Sequence, residues 1–237
     1  VKVVVLTGAG ISAESGVPTF RDADGLWEGH RPEEVATQEA FDGDRSLVQR
    51  FYDARRASLA RVNPNAAHVA LAELEQVLGE DLLLITQNID DLHERAGSRR
   101  VRHMHGELRA AWCRACDERM PWTGTLADEP SCPRCGIAAL RPDVVWFGEM
   151  PYGMDEIHRA LFSCDLFVSI GTSGVVYPAA GFVDYAAAGG SDTLELNLER
   201  AANSDFGVSR EGPATELVPA WVGELLAGLG QTAVGAG

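Results

Sequence analysis

The chain has 237 residues, 46% of them hydrophobic, which suffices for one large domain or one domain carrying a small insertion. Its formal net charge of −15 argues against a nucleic-acid partner, because a phosphate backbone calls for a basic surface. No apolar run approaches the length of a membrane span, so no membrane partner is expected.

Residues 2–7 form a valine-rich run suited to a strand buried on both faces. Gly8-x-Gly10-x-x-Ala13 follows at once and fits a dinucleotide fingerprint with alanine in its last position. An ordinary glycine turn in an α/β protein is the alternative. The ribose-binding acid expected about 20 residues on is missing; the chain runs instead into Thr19-Phe20-Arg21-Asp22. Residues 25–62 then leave the alternation of strands and helices and carry their own helix over 46–62. On it Leu47, Val48, Phe51, Ala54, Leu59 and Val62 share an apolar face. Arg55 falls inside that face, whereas Arg50, Arg56 and Arg61 fall outside. Tyr52 lies one turn before Arg55, so the two side chains can converge. An arginine aimed into apolar surface calls for an anionic partner, which is either an internal salt bridge or the carboxylate of a ligand; a snorkelling side chain is the remaining alternative.

Residues 65–78 read as a helix and Leu82–Thr86 as a second buried strand. That strand ends in Gln87-Asn88-Ile89-Asp90, where Asn88 or Asp90 could simply cap a helix. Several amide and acid side chains at the carboxyl end of a strand also make a ligand edge. His103 and His105 are two apart, on one side of an extended chain. Gly106 would let a ligand or backbone come close beside His105, which makes His105 the better general-base candidate; a satisfied, partly buried histidine is the alternative.

Cys113-x-x-Cys116 and Cys132-x-x-Cys135 are two matched pairs, and Cys164 is the one further cysteine. Each pair turns two thiolates toward one point, as tetrahedral Zn²⁺ requires. Four thiolates leave no open position, so the zinc is structural. Disulfides are the alternative, but the cysteine usage and the lack of a secretory signature point to a reducing cytoplasm. Residues 111–140, rich in these cysteines and in proline, read as a zinc ribbon. Further strands are expected at 144–147, Leu166–Ile170 and 193–198, the last two ending in Gly171-Thr172-Ser173 and Asn197-Leu198-Glu199. Helices are expected at 154–163 and 178–188, and the small-residue tail after Gly228 is expected to fray. The alternation predicts an α/β fold with a Rossmann-like, doubly wound parallel sheet. Segments 1–24, 63–110 and 141–237 would build that domain; 25–62 and 111–140 would form a smaller helical and zinc-binding module.

These motifs together resemble the sirtuins, NAD-dependent protein-lysine deacylases. The resemblance is carried in order by Gly8-Ala9-Gly10-Ile11-Ser12, Phe20-Arg21, Thr86-Gln87-Asn88-Ile89-Asp90, His105-Gly106, the four cysteines, Val145-Trp146-Phe147-Gly148-Glu149, Gly171-Thr172-Ser173 and Asn197-Leu198-Glu199. The Tyr52-x-x-Arg55 pair resembles the class III branch of bacterial CobB-type enzymes. The resemblance implies NAD⁺ as cosubstrate and acylated lysine side chains of proteins as partners. The acyl oxygen would attack the nicotinamide ribose, and the products would be free lysine, nicotinamide and O-acyl-ADP-ribose. It puts Gln87, Asn88, Ile89 and Asp90 at nicotinamide and its ribose, with His105 as general base and Asn88 as a second catalytic residue. Phe20 would shield the reactive sugar, with Arg21 beside it. Backbone amides at Gly8, Ala9, Gly10, Ser12, Gly171, Thr172 and Ser173 would cradle phosphates and ribose. Asn197, Leu198, Glu199 and Ala214 would meet the adenosine, which makes up for the missing ribose acid. Val145, Trp146, Phe147, Gly148, Glu149 and, opposite, Val175 would hold the peptide as an added strand. Tyr52 and Arg55 would take the carboxylate of a succinyl or malonyl group, and Ala23 would leave room for it. A cytoplasmic, monomeric desuccinylase and demalonylase with deacetylase activity is therefore expected. A sirtuin-like mono-ADP-ribosyltransferase is the alternative within enzymes, against which the zinc ribbon and the intact His105-Gly106 weigh. A zinc-ribbon binding module is the alternative of another class, against which the acidic charge and the polar strand ends weigh.

Overall fold

The computed structural model describes residues 1–19, 27, 29–201 and 205–234. Phe20, Arg21 and Ala23, for which roles are expected above, lie outside the described residues.

The strands are β1 (Val3–Thr7), β2 (Leu82–Thr86), β3 (Val101–His103), β4 (Gly106–Cys113), β5 (Arg119–Pro121), β6 (Leu140–Val144), β7 (Leu166–Ile170), β8 (Asp192–Asn197) and β9 (Val208–Glu211). The helices are α1 (Ala9–Ala13), α2 (Pro32–Val35), α3 (Gln38–Gly43), α4 (Arg45–Leu59), α5 (Ala66–Leu78), α6 (Leu92–Ala96), α7 (Met154–Leu161), α8 (Phe182–Ala188) and α9 (Ala214–Val234). Six strands form a parallel sheet in the order β3-β2-β1-β7-β8-β9. Every residue of β1 is buried, because the sheet is covered on both faces. On one face Leu71 and Leu74 of α5 and Val218 and Trp221 of α9 pack against Val3, Val5, Leu82 and Leu84. On the other, Ile157 and Leu161 of α7 and Phe182 and Val183 of α8 pack against Val4, Leu6 and Phe167. Full burial of each such side chain stabilises the fold by about 1.5–3 kcal/mol. The chain runs outward from β1 through β2 to β3 and, after the small sheet, returns to the other flank of β1 as β7, so the carboxyl ends of β2, β1 and β7 open a crevice where the order reverses.

A second, antiparallel sheet of order β5-β4-β6 carries the cysteines, with Ala111, Leu126 and Leu140 in its core. Helices α2, α3 and α4 gather around Trp27, Val35, Phe41, Val48, Tyr52 and Trp146. The parallel sheet with a smaller cysteine-bearing module is the expected fold class.

Several local expectations are corrected. Residues 144–147 do not form a strand of the main sheet. The strand is Leu140–Val144 in the small sheet, and it stops because the next amides are taken: Trp146 donates to the Glu149 carboxylate at 2.8 Å and Phe147 to Ala36 O at 2.9 Å. His103 and His105 do not share a side, since β3 ends at His103 and the chain turns before Gly106 opens β4. On α4, Ala54 is exposed and Arg56 is buried, because the zinc module packs on that flank. Arg56 donates to Leu108 O at 2.6 Å and Gly124 O at 3.2 Å, and its neighbour Asp53 accepts from the Leu126 and Ala127 amides. The tail does not fray at Gly228, since α9 continues to Val234.

Candidate active site

A cavity of about 820 Å³ lies at the carboxyl ends of β1, β2, β7 and β8 and reaches under α4. Gly8, Ala9, Gly10 and Ser12 line it from the first turn, and Gln87, Asn88, Ile89 and Asp90 from the end of β2. Gly171, Thr172, Ser173, Asn197, Leu198, Glu199 and Ala214 close the far end. His105, Val145, Trp146, Phe147, Gly148 and Glu149 form the wall toward the small module, and Tyr52 and Arg55 the roof. Val175 is not among the lining residues; it is 37% exposed.

The glycine turn is built differently from the expectation. The amides of Gly8 and Gly10 donate to Ile170 O at 2.9 Å and Gly171 O at 2.8 Å, so neither is left to hold a phosphate. A Cβ on Gly10 would stand 2.7 Å from the Gly171 Cα, and Gly171 itself has φ +61°. Glycine is therefore required where the turns after β1 and β7 press together. Gln87 Nε2 donates to Thr172 Oγ1 at 3.1 Å and Asn197 Nδ2 to Thr172 O at 2.8 Å, which ties the ends of β2, β7 and β8.

Asn88 Nδ2 donates to Gly8 O and to Ser12 Oγ, each at 3.1 Å. Asp90 accepts from Ser12 Oγ at 3.0 Å and from the Leu92 amide at 3.1 Å. Burial raises the Asp90 carboxyl, while those two donors hold it down. His68 and His93 lie behind this network with ring centroids 4.9 Å apart, joined to it through Ser12 and Thr7. Burial pushes His68 down to about 4 and His93 well below its usual range. Sequence reading missed this pair; its signal was two histidines inside otherwise apolar helix faces.

The two candidate histidines separate by their partners. His103 places Nδ1 at 3.1 Å from Asn88 O and Nε2 at 2.8 Å from Glu94, so both nitrogens meet acceptors. Burial opposes its charge, but Glu94 outweighs that and raises its pKa. His105 meets one acceptor, Gln87 O, at 3.1 Å from Nδ1. That contact assigns the proton to Nδ1 and leaves Nε2 with a lone pair. Burial lowers the His105 pKa, and the Gln87 carbonyl pulls it partly back. Gly106 has φ +77°, and a Cβ there would fall 2.1 Å from Asp143 O, so the glycine serves β6 rather than a ligand.

Under α4, Tyr52 is wholly buried and Arg55 is 7% exposed. The Arg55 guanidinium stacks 4.2 Å from the Trp27 ring centroid and also faces Phe51 at 5.6 Å. The Tyr52 hydroxyl accepts from Trp146 Nε1 at 3.0 Å, and burial pushes its phenol pKa up. The phenol thus keeps its own proton to donate. Trp27 as the platform for Arg55 was not legible from spacing.

Cys113, Cys116, Cys132 and Cys135 converge with all four Sγ atoms within 4.8 Å of one another. The Cys113–Cys135 and Cys116–Cys132 sulfurs are 3.7 Å and 3.8 Å apart, too far for disulfides and suited to edges of a tetrahedron around zinc. Zn²⁺ fits this donor set as a structural ion.

The Sir2 family pattern matches residues 8–178. The chain belongs to the Sir2 family. An NAD-dependent protein deacylase of Escherichia coli is 57% identical over 232 residues, spanning 96% of this chain and 83% of that protein. Among Sir2 structures, a homologue in complex with NAD is 42% identical with a TM-score of 0.87, over 96% of this chain and 90% of that one. A mutant Sir2 homologue bound to ADP ribose is 41% identical with a TM-score of 0.89, over 97% and 93% of the two chains.

Proposed function

We propose that this Sir2-family chain is an NAD-dependent protein deacylase that prefers lysines carrying negatively charged acyl groups, succinyl and malonyl, and also removes acetyl. The observation that carries the acyl preference is Arg55. It is a nearly buried cation on the roof of the cavity, beside a buried phenol whose hydroxyl can donate. A guanidinium can take a carboxylate bidentately, and Tyr52 would add a hydrogen bond to it.

NAD, when bound, would supply an electrophilic ribose carbon from which nicotinamide leaves and a ribose hydroxyl that takes the acyl group. The chain's residues provide the rest. Asn88 is held through its amide nitrogen by Gly8 O and Ser12 Oγ, which leaves its Oδ1 to orient the carboxamide of nicotinamide. His105 takes a proton at Nε2 from a ribose hydroxyl; its Nδ1–H stays on Gln87 O. The lowered His105 pKa keeps the imidazole in the neutral form that can act as a base near pH 7. Residues 145–149 offer an edge on which the peptide adds as a strand, and reading main chain gives broad sequence tolerance. The ends of β7 and β8 with Ala214 take the adenosine half. Among the described residues no helix is long and apolar enough to cross a membrane. We place the enzyme in the reducing cytoplasm, where its thiolates remain available to zinc, and take the working unit as a monomer.

One peptide synthesised with acetyl, propionyl, malonyl, succinyl or glutaryl lysine, incubated with and without NAD, tests this by mass spectrometry. NAD-dependent loss of the succinyl and malonyl groups is expected. An enzyme that removes acetyl but neither of these would overturn the acyl assignment.

A further inference from the structure

Arg141, in β6, is 1% exposed and is absent from the cavity lining, yet it organises the wall on which a peptide would lie. Its guanidinium forms a fork with Glu149: Nη1 donates to Oε1 at 2.6 Å and Nη2 to Oε2 at 3.0 Å. Nη2 also donates to Val144 O at 2.6 Å. The guanidinium carbon lies 3.4 Å from the centroid of the Trp146 ring. Glu149 Oε2 in turn accepts the Trp146 amide at 2.8 Å. Segment 144–149 therefore wraps one guanidinium, gripped at both ends and stacked at its middle. The far edge of Trp146 continues the chain of contacts to the Tyr52 hydroxyl. The carboxylate of Glu149, expected above at the substrate, is engaged inward instead.

We propose that Arg141 is a positioning residue for the acyl-lysine strand: through Glu149 and Trp146 it fixes the peptide-binding edge and the Tyr52 phenol without touching substrate or NAD. The proposal rests on the reading of 145–149 as the peptide edge. Lysine retains the charge but lacks both the planar fork and the stacking face, so it cannot reproduce this grip.

Hydrogen exchange of the wild type first tests the underlying reading: the amides of Val145, Trp146, Phe147 and Glu149 already donate within the chain, so an acyl-lysine peptide should slow exchange chiefly at Gly148, and unchanged exchange there would mean that this edge does not bind peptide. Arg141→Lys and Glu149→Gln are then assayed with peptide and NAD varied separately. Loosening the edge should raise KM for the acyl peptide at least about tenfold. KM for NAD should stay within about twofold, since the cofactor end is untouched. A double variant, Arg141→Met with Glu149→Leu, replaces the buried guanidinium and its partly exposed carboxylate partner by apolar groups and should regain part of the thermal stability that Arg141→Lys loses, while KM for peptide stays high. Unchanged peptide KM in Arg141→Lys, with protection present in the wild type, would overturn the role of Arg141 alone. Parallel rises in both KM values, recovery of peptide KM in the double variant, or a Glu149→Gln protein that does not fold would each assign the pair to general stability instead.

Discussion

Replacing Arg55 by methionine removes a charge and keeps most of the apolar stem. The guanidinium lies in the cavity roof, 7% exposed and stacked on Trp27, so a ligand carboxylate reaching it would meet little competing water. Opposite unit charges about 4 Å apart attract by about 4 kcal/mol at an effective dielectric near 20. Stripping water from the carboxylate offsets part of this, which leaves about 2–4 kcal/mol. Arg55→Met should thus lower kcat/KM on a succinyl-lysine peptide roughly 30-fold to 1,000-fold. The same peptide bearing acetyl-lysine has no carboxylate and should change far less. Nicotinamide release, measured on both peptides with one enzyme preparation, reads the ratio directly. A folding or NAD defect lowers both rates together, so the ratio is immune to it. Equal losses on the two peptides would refute the reasoning and make Arg55 a structural residue.

Other consequences are measurable with the same assay. Tyr52→Phe deletes one hydrogen bond to a charged group, worth about 1.5–3 kcal/mol, and should weaken succinyl turnover about tenfold or more while sparing acetyl; an unchanged ratio would remove Tyr52 from acyl recognition. His105→Ala should stop deacylation with folding retained, at a cost of about 10²–10⁴ in rate. His103→Ala should lower the melting temperature more than the rate, because His103 bridges Glu94 and Asn88 O; the reverse pattern would exchange their roles. Since the His105 pKa is lowered, kcat/KM should fall on the acid side with a midpoint below about 6.5, and a midpoint above that value would exclude His105 as the base. His68 is held at about 4, so as pH falls from about 6.5 toward that value the unfolded chain gains protons that the folded chain refuses. Stability should drop over that window by up to about 3 kcal/mol, and His68→Gln should flatten the drop. Chelation or Cys132→Ser should unfold the small module, because structural zinc contributes directly to folding; an unchanged melting temperature would refute that role.

Much of this was legible from the residues. Continuous apolar runs announced β1, β2 and β7, since strands covered on both faces leave no alternation to read. The polar residues that end these strands announced the crevice, because side chains are polar there only if something polar meets them. The paired C-x-x-C spacing announced the thiolate cluster. What sequence did not disclose depends on contacts far apart in the chain. Arg56 is buried only because loop 124–127 docks on its flank of α4. The strand around Val144 ends because the Glu149 carboxylate takes the Trp146 amide and Ala36 O, far away in the chain, takes that of Phe147. The residues favoured His105 over His103 as the base, but only the structure gave the physical distinction, Glu94 on His103 Nε2 and Gln87 O alone on His105. β3 and β9 are short and lie at the two edges of the sheet, where little burial marks them.

The most direct test incubates wild-type protein with NAD and one succinyl-lysine peptide and quantifies every product by mass spectrometry. The account predicts free lysine peptide, nicotinamide and O-succinyl-ADP-ribose in equal amounts, with none formed when NAD is omitted. Nicotinamide release with the succinyl group left in place and ADP-ribose attached to protein would contradict it and identify a mono-ADP-ribosyltransferase.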